Sequence, residues 1–299
     1  MWLNDKPLNV AVERTDDLVT ISAQPELLLE PLGKYEALVK FDDNIGMNHT
    51  KKWRFTVTDF QKLPPSTALP IDSGSSPGFL VRTIQSPMET TIQHDFKRAI
   101  YQLEGLLKDN EGNMVKNVAI PSETDKEFDL YEVIDFQKDG SIFGHFDFDE
   151  FFPGIPGEEE QDTNFSTEIL TYLALKPGNH RLGITTHVAK PDQNDEDKFK
   201  VFTAANSRDR FAQEVGEFQL NLIGYREGAN DCSFDFTVEK EGLYPFRIVY
   251  WNKSGNAALE FYSIDINTEE KILINDIENE RSIKSFTRTD KNRLPYVAV

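Results

Sequence analysis

One phrase recurs through the chain: strand, glycine turn, ring, strand. It reads Leu32-Gly33-Lys34-Tyr35-Glu36-Ala37-Leu38-Val39, then Pro177-Gly178-Asn179-His180-Arg181-Leu182-Gly183-Ile184, then Glu241-Gly242-Leu243-Tyr244-Pro245-Phe246-Arg247-Ile248. Each copy has a Gly at a strand end, a ring two residues on, and alternation after it. Gly takes backbone angles that other residues avoid, and period-two alternation builds a half-buried strand. Antiparallel sandwiches turn their corners this way. The phrase predicts an all-β chain and argues against most enzyme folds.

A pass along the 299 residues divides them into three stretches, in line with a length prior of about 150 residues per domain. Residues 1–60 carry short strands at Val19 to Ala23, Tyr35 to Phe41 and Lys52 to Val57, with a turn at Asp42-Asp43-Asn44-Ile45-Gly46. Gly33-Lys34-Tyr35-Glu36-Ala37 resembles the tyrosine-corner region of immunoglobulin-like domains, so 1–60 reads as a partial immunoglobulin-like module. Its first strands look missing, which suggests a piece of a larger modular protein. Residues 61–78, rich in Pro, Gly and Ser, read as a linker. Residues 79–299 read as a larger antiparallel β-sandwich with one short helix, expected within Ile92 to Leu107, where Phe96, Ile100, Leu103 and Leu107 recur at helical spacing. Later strands are expected at Thr171 to Leu175, Arg181 to Ile184, Phe218 to Leu222, Phe234 to Val238, Tyr244 to Tyr250, Leu259 to Ile266 and Lys271 to Ile274.

Charge narrows the partners. Lys and Arg number 32 against 51 Asp and Glu, a net charge of −19, which repels nucleic acid phosphates and anionic lipid. No stretch approaches the ~20 apolar residues of a membrane helix. The single cysteine, Cys232, forms no intrachain disulfide and reads as packing. There is no phosphate loop, dinucleotide fingerprint or His-Glu-x-x-His. Gly74-Ser75-Ser76-Pro77-Gly78 matches the G-x-S-x-G elbow literally. It is rejected, because a Pro-rich stretch precedes it, a strand follows, and Pro77 lacks the N–H an oxyanion hole needs. No catalytic residues are assigned, and the chain is expected not to be an enzyme.

Three phrases together resemble the protective-antigen-like (PA-fourteen) β-sandwich: Ile169-Leu170-Thr171-Tyr172-Leu173-Ala174-Leu175-Lys176-Pro177-Gly178, Phe236-Thr237-Val238-Glu239-Lys240-Glu241-Gly242-Leu243-Tyr244-Pro245-Phe246-Arg247, and Ala257-Ala258-Leu259-Glu260-Phe261. The resemblance covers roughly 140–275. It implies a sandwich placed after immunoglobulin-like modules in large bacterial surface proteins. In lectin members of that family, two adjacent Asp after the first hairpin hold a calcium ion that binds sugar hydroxyls. This sequence departs there: His187-Val188-Ala189-Lys190 stands at that place, and the acids come later, in Pro191-Asp192-Gln193-Asn194-Asp195-Glu196-Asp197-Lys198.

Candidate site residues follow. Asp192, Asn194, Asp195 and Asp197 supply hard oxygens at short spacing, which suits calcium, although the loop lacks the Gly and bidentate Glu of an EF-hand. The same residues also suit a solvated acidic loop. His145, Asp147 and Asp149 would share one face if His145-Phe146-Asp147-Phe148-Asp149-Glu150 is a strand, and could meet a metal or a sugar; the alternative is a charged edge strand. Trp251 and Asn252 are read in a late hairpin loop, where the indole could stack on a sugar; the alternative is a Trp closing the sandwich. Asn48, Asn164 and Asn252 open glycosylation sequons that a bacterial source would make chance matches.

The function expected from these readings is a non-catalytic, extracellular carbohydrate-binding or adhesion module of a multidomain surface protein. Its partner would be a polysaccharide or cell-surface glycan, and its cofactor, if any, calcium. The alternatives are a structural unit of a stalk, surface layer or filament that binds neighbouring copies, or an ancillary domain of a polysaccharide-degrading enzyme.

Overall fold

The structure, a computed structural model, describes the chain except residues 16–17, 24, 26–28, 44, 75, 91, 121–127, 131, 139–143, 189–196, 221–227 and 288–299. Contacts divide it into two compact units, one formed by Met1–Phe60 with Asp265–Glu269, the other beginning at Gln61. No helix among the described residues is long and apolar enough to cross a membrane.

The first unit holds β1 (Trp2–Leu3), β2 (Lys6–Pro7), β3 (Val10–Thr15), β4 (Leu18–Ala23), β5 (Lys34–Asp42) and β6 (Asn48–Thr56). Strands β2-β1-β5-β6 form one sheet, and β3 and β4 form a separate hairpin. The Asp43 side chain accepts the N–H groups of Ile45 and Met47 at 3.0 and 2.9 Å and so shapes the β5–β6 turn. Tyr35 stacks on Phe55 across the pair at 5.8 Å. Its hydroxyl accepts the Glu30 N–H at 2.8 Å, a backward reach of the kind a tyrosine corner makes. The immunoglobulin-like reading of residues 1–60 goes beyond this single contact and stays a proposal.

The second unit comprises β7 (Gln61–Lys62), β8 (Ser76–Pro77), β9 (Phe79–Gln85), α1 (Phe96–Leu103), β10 (Phe128–Leu130), β11 (Asp135–Gln137), β12 (Glu150–Phe151), β13 (Phe165–Leu175), β14 (Gly178–Val188), β15 (Lys198–Thr203), β16 (Gln213–Glu217), β17 (Gly228–Val238), β18 (Gly242–Trp251), β19 (Ala258–Ile264), β20 (Lys271–Leu273) and β21 (Ser285–Thr287). One sheet runs β10-β9-β13-β18-β15-β16, with β21 bridging β13 and β8; the other runs β12-β11-β19-β14-β17-β7, with β20 on β19. Both faces contribute to one core. Phe165, Ile169, Phe246 and Tyr250 come from the first sheet, and Phe136, Ile184, Phe236 and Phe261 from the second. This is an antiparallel β-sandwich. The three recurring phrases each launch a strand: β5, β14 and β18.

Strand β18 is buried along its whole length. Tyr244, Phe246, Ile248 and Tyr250 enter the sandwich core, while Val249 and Trp251 form a second apolar cluster under α1 with Ala99 and Leu103. Asp95 caps the helix, its carboxylate accepting the Arg98 N–H at 2.7 Å. The helix is shorter than the spacing of its apolar residues predicts, and Leu107 lies beyond it. Arg98 is buried and fastens the helix to the sheet through Gln102 Oε1 at 2.7 Å, Ser166 Oγ at 3.2 Å and Asn252 O at 3.3 Å.

Two sequence expectations are corrected. Residues 61–78 are not a free linker. Gln61–Lys62 pairs with β17, Leu63 is wholly buried in the core, Leu69 bridges to Leu243, and Ser76–Pro77 pairs with β21. Pro and Gly punctuate a segment that threads the sandwich rim. The strand expected from Phe218 is absent in its described part, and β16 ends at Glu217.

On the outer face of the first sheet, Glu168 is buried against three arginines. Arg247 Nε lies 2.7 Å from Oε1, and Arg208 Nη2 and Arg82 Nη2 lie 2.6 and 3.3 Å from Oε2. Burial alone would raise its pKa, but Arg247, Arg208 and Arg82 together hold it below the ordinary value. Removing the carboxylate strands guanidinium charge in a dry site. The Glu168→Ala variant is expected to lose about 3–5 kcal/mol in urea denaturation; a loss under ~1 kcal/mol would show that water takes over the arginines.

Candidate functional site

A row of polar residues crosses the outer face of the second sheet. Asp135 of β11 pairs with Glu260 of β19, Glu260 with Thr185 of β14, and Thr185 with Asp231 of β17. Directly opposed residues in antiparallel strands point to one face. Their neighbours Phe136, Leu259, Phe261 and Ile184 point into the core, so the same period-two rule that builds the core lines up these acids outside it.

Segment 144–151 lies over this row and is held by its backbone. Glu260 Oε1 accepts the N–H groups of His145 and Phe146 at 2.6 and 3.0 Å. Asp135 Oδ2 accepts those of Phe148 and Asp149 at 3.0 and 3.4 Å. Gly144 has φ +108°, and a Cβ there would stand 2.1 Å from the Glu260 carboxylate, so the approach requires glycine. Phe146 packs inward on Tyr262 at 5.9 Å. Tyr262 itself lies over Gly183, where a Cβ would meet the ring at 2.2 Å. At the far end of the row, Asp231 accepts from Thr185 Oγ1 at 2.9 Å and lies 2.8 Å from both His145 Nε2 and Lys271 Nζ. Burial opposes ionisation of Asp231, yet His145 and Lys271 hold its pKa well below the ordinary carboxylate range. Asp135 and Glu260 are raised instead, mainly by burial. Asp149 is raised by burial and then by Asp147.

The face this segment turns outward is aromatic and acidic. Phe148 and Phe151 are 53 % and 59 % exposed, Asp147 and Glu150 are exposed, and Asp149 is half-buried. Of the residues anticipated from sequence, Asp147 and Asp149 lie near each other, but the His145 ring turns to Asp231 while Asp149 meets Gln137, and the three do not share a strand face. Only Glu150–Phe151 of this stretch pairs as β12. The N–H groups before it go to carboxylates rather than to a neighbouring strand, and Asp149 adopts φ +47°, which breaks the alternation.

A second polar knot closes the other side of the sandwich. Asp197 is fully buried just before β15. Its Oδ1 accepts from Asn252 Nδ2 at 2.9 Å and its Oδ2 from Ala258 N at 3.0 Å. Asn252 Nδ2 also reaches the carbonyls of Ser254 and Asn256 at 3.0 and 3.1 Å. Three acceptors around one atom identify it as the amide nitrogen. Asn252 Oδ1 is then left buried with no hydrogen-bond partner among the described residues. Asp192, Asn194 and Asp195 lie outside the described residues. No three His, Cys, Asp or Glu side chains among the described residues cluster as a metal-ligand set.

Trp251 is corrected. It ends β18 rather than sitting in a loop, is 3 % exposed, and packs on Phe96 at 5.8 Å under α1. It offers no face to a sugar, because α1 packs on this residue. Asn252 is a buried staple rather than a contact. Cys232 is buried as expected, its thiol pushed up to about 11 by burial. Sequence reasoning missed Asp135, Glu260 and Asp231. A signal was present: Glu260 interrupts the apolar run Ala257-Ala258-Leu259 and Phe261-Tyr262, and Asp135 stands between Ile134 and Phe136.

Several solved structures resemble this fold at low similarity. A subtype-switched A domain of Epithelial Adhesin 9 from Candida glabrata, in complex with β-lactose, aligns at TM-score 0.48 and 12 % identity over 78 % of this chain and 97 % of that one. The PA14 domain of the antifreeze protein MpAFP aligns at 0.40 and 11 % over 74 % and 97 %. The PA14 sugar-binding domain of an RTX adhesin aligns at 0.37 and 15 % over 67 % and 96 %. No protein-family model and no curated protein matches the sequence. The sandwich described above rests on its own strand pairing.

Asp197 generates a pH prediction. Burial pushes its carboxyl from 3.8 to about 7 against the hydrogen bonds from Asn252 and Ala258. A folded value above the unfolded one gives stability that is whole below the unfolded pKa and is lost as pH rises through about 7. The difference is on the order of 4 kcal/mol. Wild-type stability, followed by denaturant midpoint, should fall between about pH 4 and 7 and level off above, relative to Asp197→Asn, which lacks this titration. Parallel profiles would refute the assignment.

Proposed function

We propose that the chain is a non-catalytic module that binds an extracellular or cell-surface polysaccharide, and that segment 144–151 is its contact surface. One observation carries the reading. Two exposed phenyl rings, Phe148 and Phe151, sit beside Asp147 and Asp149 on a backbone already fastened by Asp135 and Glu260. The negative face of a phenyl ring accepts the C–H groups of a pyranose, and carboxylates accept from its hydroxyls. A backbone fixed beforehand lowers the ordering cost of binding.

Calcium is the proposed cofactor, at the Asp197 end. Asp197 is a buried carboxylate bonded to the Asn252 amide nitrogen, and Asn252 Oδ1 is a second buried hard oxygen with no hydrogen-bond partner among the described residues; such oxygens are the chemistry calcium takes, and Asp192, Asn194 and Asp195 precede them in the chain. Asp197 and Asn252 are the residues that would hold the ion. Bound calcium would favour ionised Asp197, so millimolar calcium should reduce the loss of stability between about pH 4 and 7 described above, and EDTA should restore it.

A second reading has its own observation. Strand β6 is exposed at all nine positions, Trp53 and Phe55 included, and ends its sheet. An open edge can add a strand from a neighbouring copy or module. Concentration-dependent assembly in sedimentation velocity would favour this structural role.

The glycan reading is tested on an array of algal and bacterial polysaccharides with calcium and with EDTA. Phe148→Ala and Phe151→Ala are each expected to weaken a detected ligand about tenfold, the equivalent of ~1.4 kcal/mol, with Tm unchanged. Alanine variants that bind like wild type would remove segment 144–151 from the site.

A further inference from the structure

Asp135 and Glu260 face each other directly across β11 and β19, which places their Cβ atoms about 5 Å apart. Each is only 1 % exposed. Each gives one oxygen to segment 144–151, as described. The remaining oxygens, Asp135 Oδ1 and Glu260 Oε2, are buried with no hydrogen-bond partner among the described residues. Thr185, beside Glu260, has one hydroxyl proton, and that hydroxyl already lies 2.9 Å from Asp231 Oδ1 and 3.0 Å from the Tyr262 hydroxyl. The cations of this face, His145 and Lys271, converge on Asp231. Asp147 and Asp149 add further negative charge from above.

Two adjacent dry carboxylates with bare oxygens and, among the described residues, no cation bonded to either are the arrangement in which one proton is retained and shared. We propose that Asp135 and Glu260 hold a single proton between them, and that this proton latches segment 144–151 onto the sheet. Its loss releases the segment. A second anion accepts N–H groups more strongly, but mutual repulsion and lost hydration outweigh that gain. Both are relieved by letting water in beneath the segment. Burial raises the pKa of both groups, in the direction this requires. The groups around the pair are Gln137 on β11, Tyr262 on β19, Thr185 and His187 on β14, Asp231 on β17, Lys271 on β20, and His145, Asp147 and Asp149 above. The latch itself needs no ligand. Its consequence, that glycan is held at lower pH and let go at higher pH, rests on the proposed contact surface.

The test is amide hydrogen exchange of the full chain without sugar, from pH 5 to 9, expressed as protection factors corrected for intrinsic base catalysis. The amides of His145, Phe146 and Phe148 are expected to lose protection at least tenfold as pH rises, while those of β13 and β18 do not. Glu260→Gln keeps an acceptor and replaces the shared proton with an amide N–H, so its segment should stay protected throughout; Asp135→Asn should do the same and serves if the first variant does not fold. His145→Gln should leave the transition in place. Flat wild-type protection, or a transition abolished by His145→Gln but kept by Glu260→Gln, overturns the latch. Exchange is read without glycan, so a silent array would sink the contact surface and leave the latch standing.

Discussion

Strand β18 is buried on both faces, and the second unit is arranged to satisfy that demand. Its inward residues fill the core between the sheets, and its ten-residue ladder with β13 satisfies the backbone. Its outward residues, Val249 and Trp251, would face water without α1. The helix is short, so propensity alone would not hold it. Asp95 caps it through the Arg98 N–H, and Arg98 anchors it with its guanidinium on Ser166 and the Asn252 carbonyl. Arg247, further along the same face, cannot be covered by apolar packing and is neutralised by Glu168.

Buried carboxylates recur as fasteners, each with a different electrostatic partner. Glu168 is surrounded by guanidinium groups and stays ionised. Asp231 is ionised by an amine and an imidazole. Asp135, Glu260 and Asp197 are surrounded mainly by N–H donors, which do not offset the loss of water, and their pKa values rise. A chain of net charge −19 thus turns part of its acid content inward as acceptors for loops that have no strand to pair with.

Much of the architecture was legible in the order of residues. Period-two alternation and the glycine-led phrases located β5, β14 and β18, because those signals are local. The extent of α1, the threading of 61–78 and the absence of a strand at Phe218 were not legible, since each depends on a partner distant in sequence: Trp251, β17 and β21. The same holds for the site. Asp147 and Asp149 were visible as acids among aromatics, but the residues that hold them, Asp135 and Glu260, lie more than ten residues away on other strands. Trp251 misled because a Trp before Asn-Lys-Ser-Gly looks like a loop residue, and only tertiary packing shows the helix above it.

The attachment of segment 144–151 to its sheet is made through main-chain N–H groups, one glycine and the side chains of His145 and Phe146. It therefore makes little demand on the side chains at 147, 148, 150 and 151, which can be exchanged while the backbone keeps its path. The sandwich separates holding a surface from composing it. Substitutions could change the chemistry of this patch widely while Asp135, Gly144 and Glu260 stay in place, much as a frame outlasts the pictures hung in it.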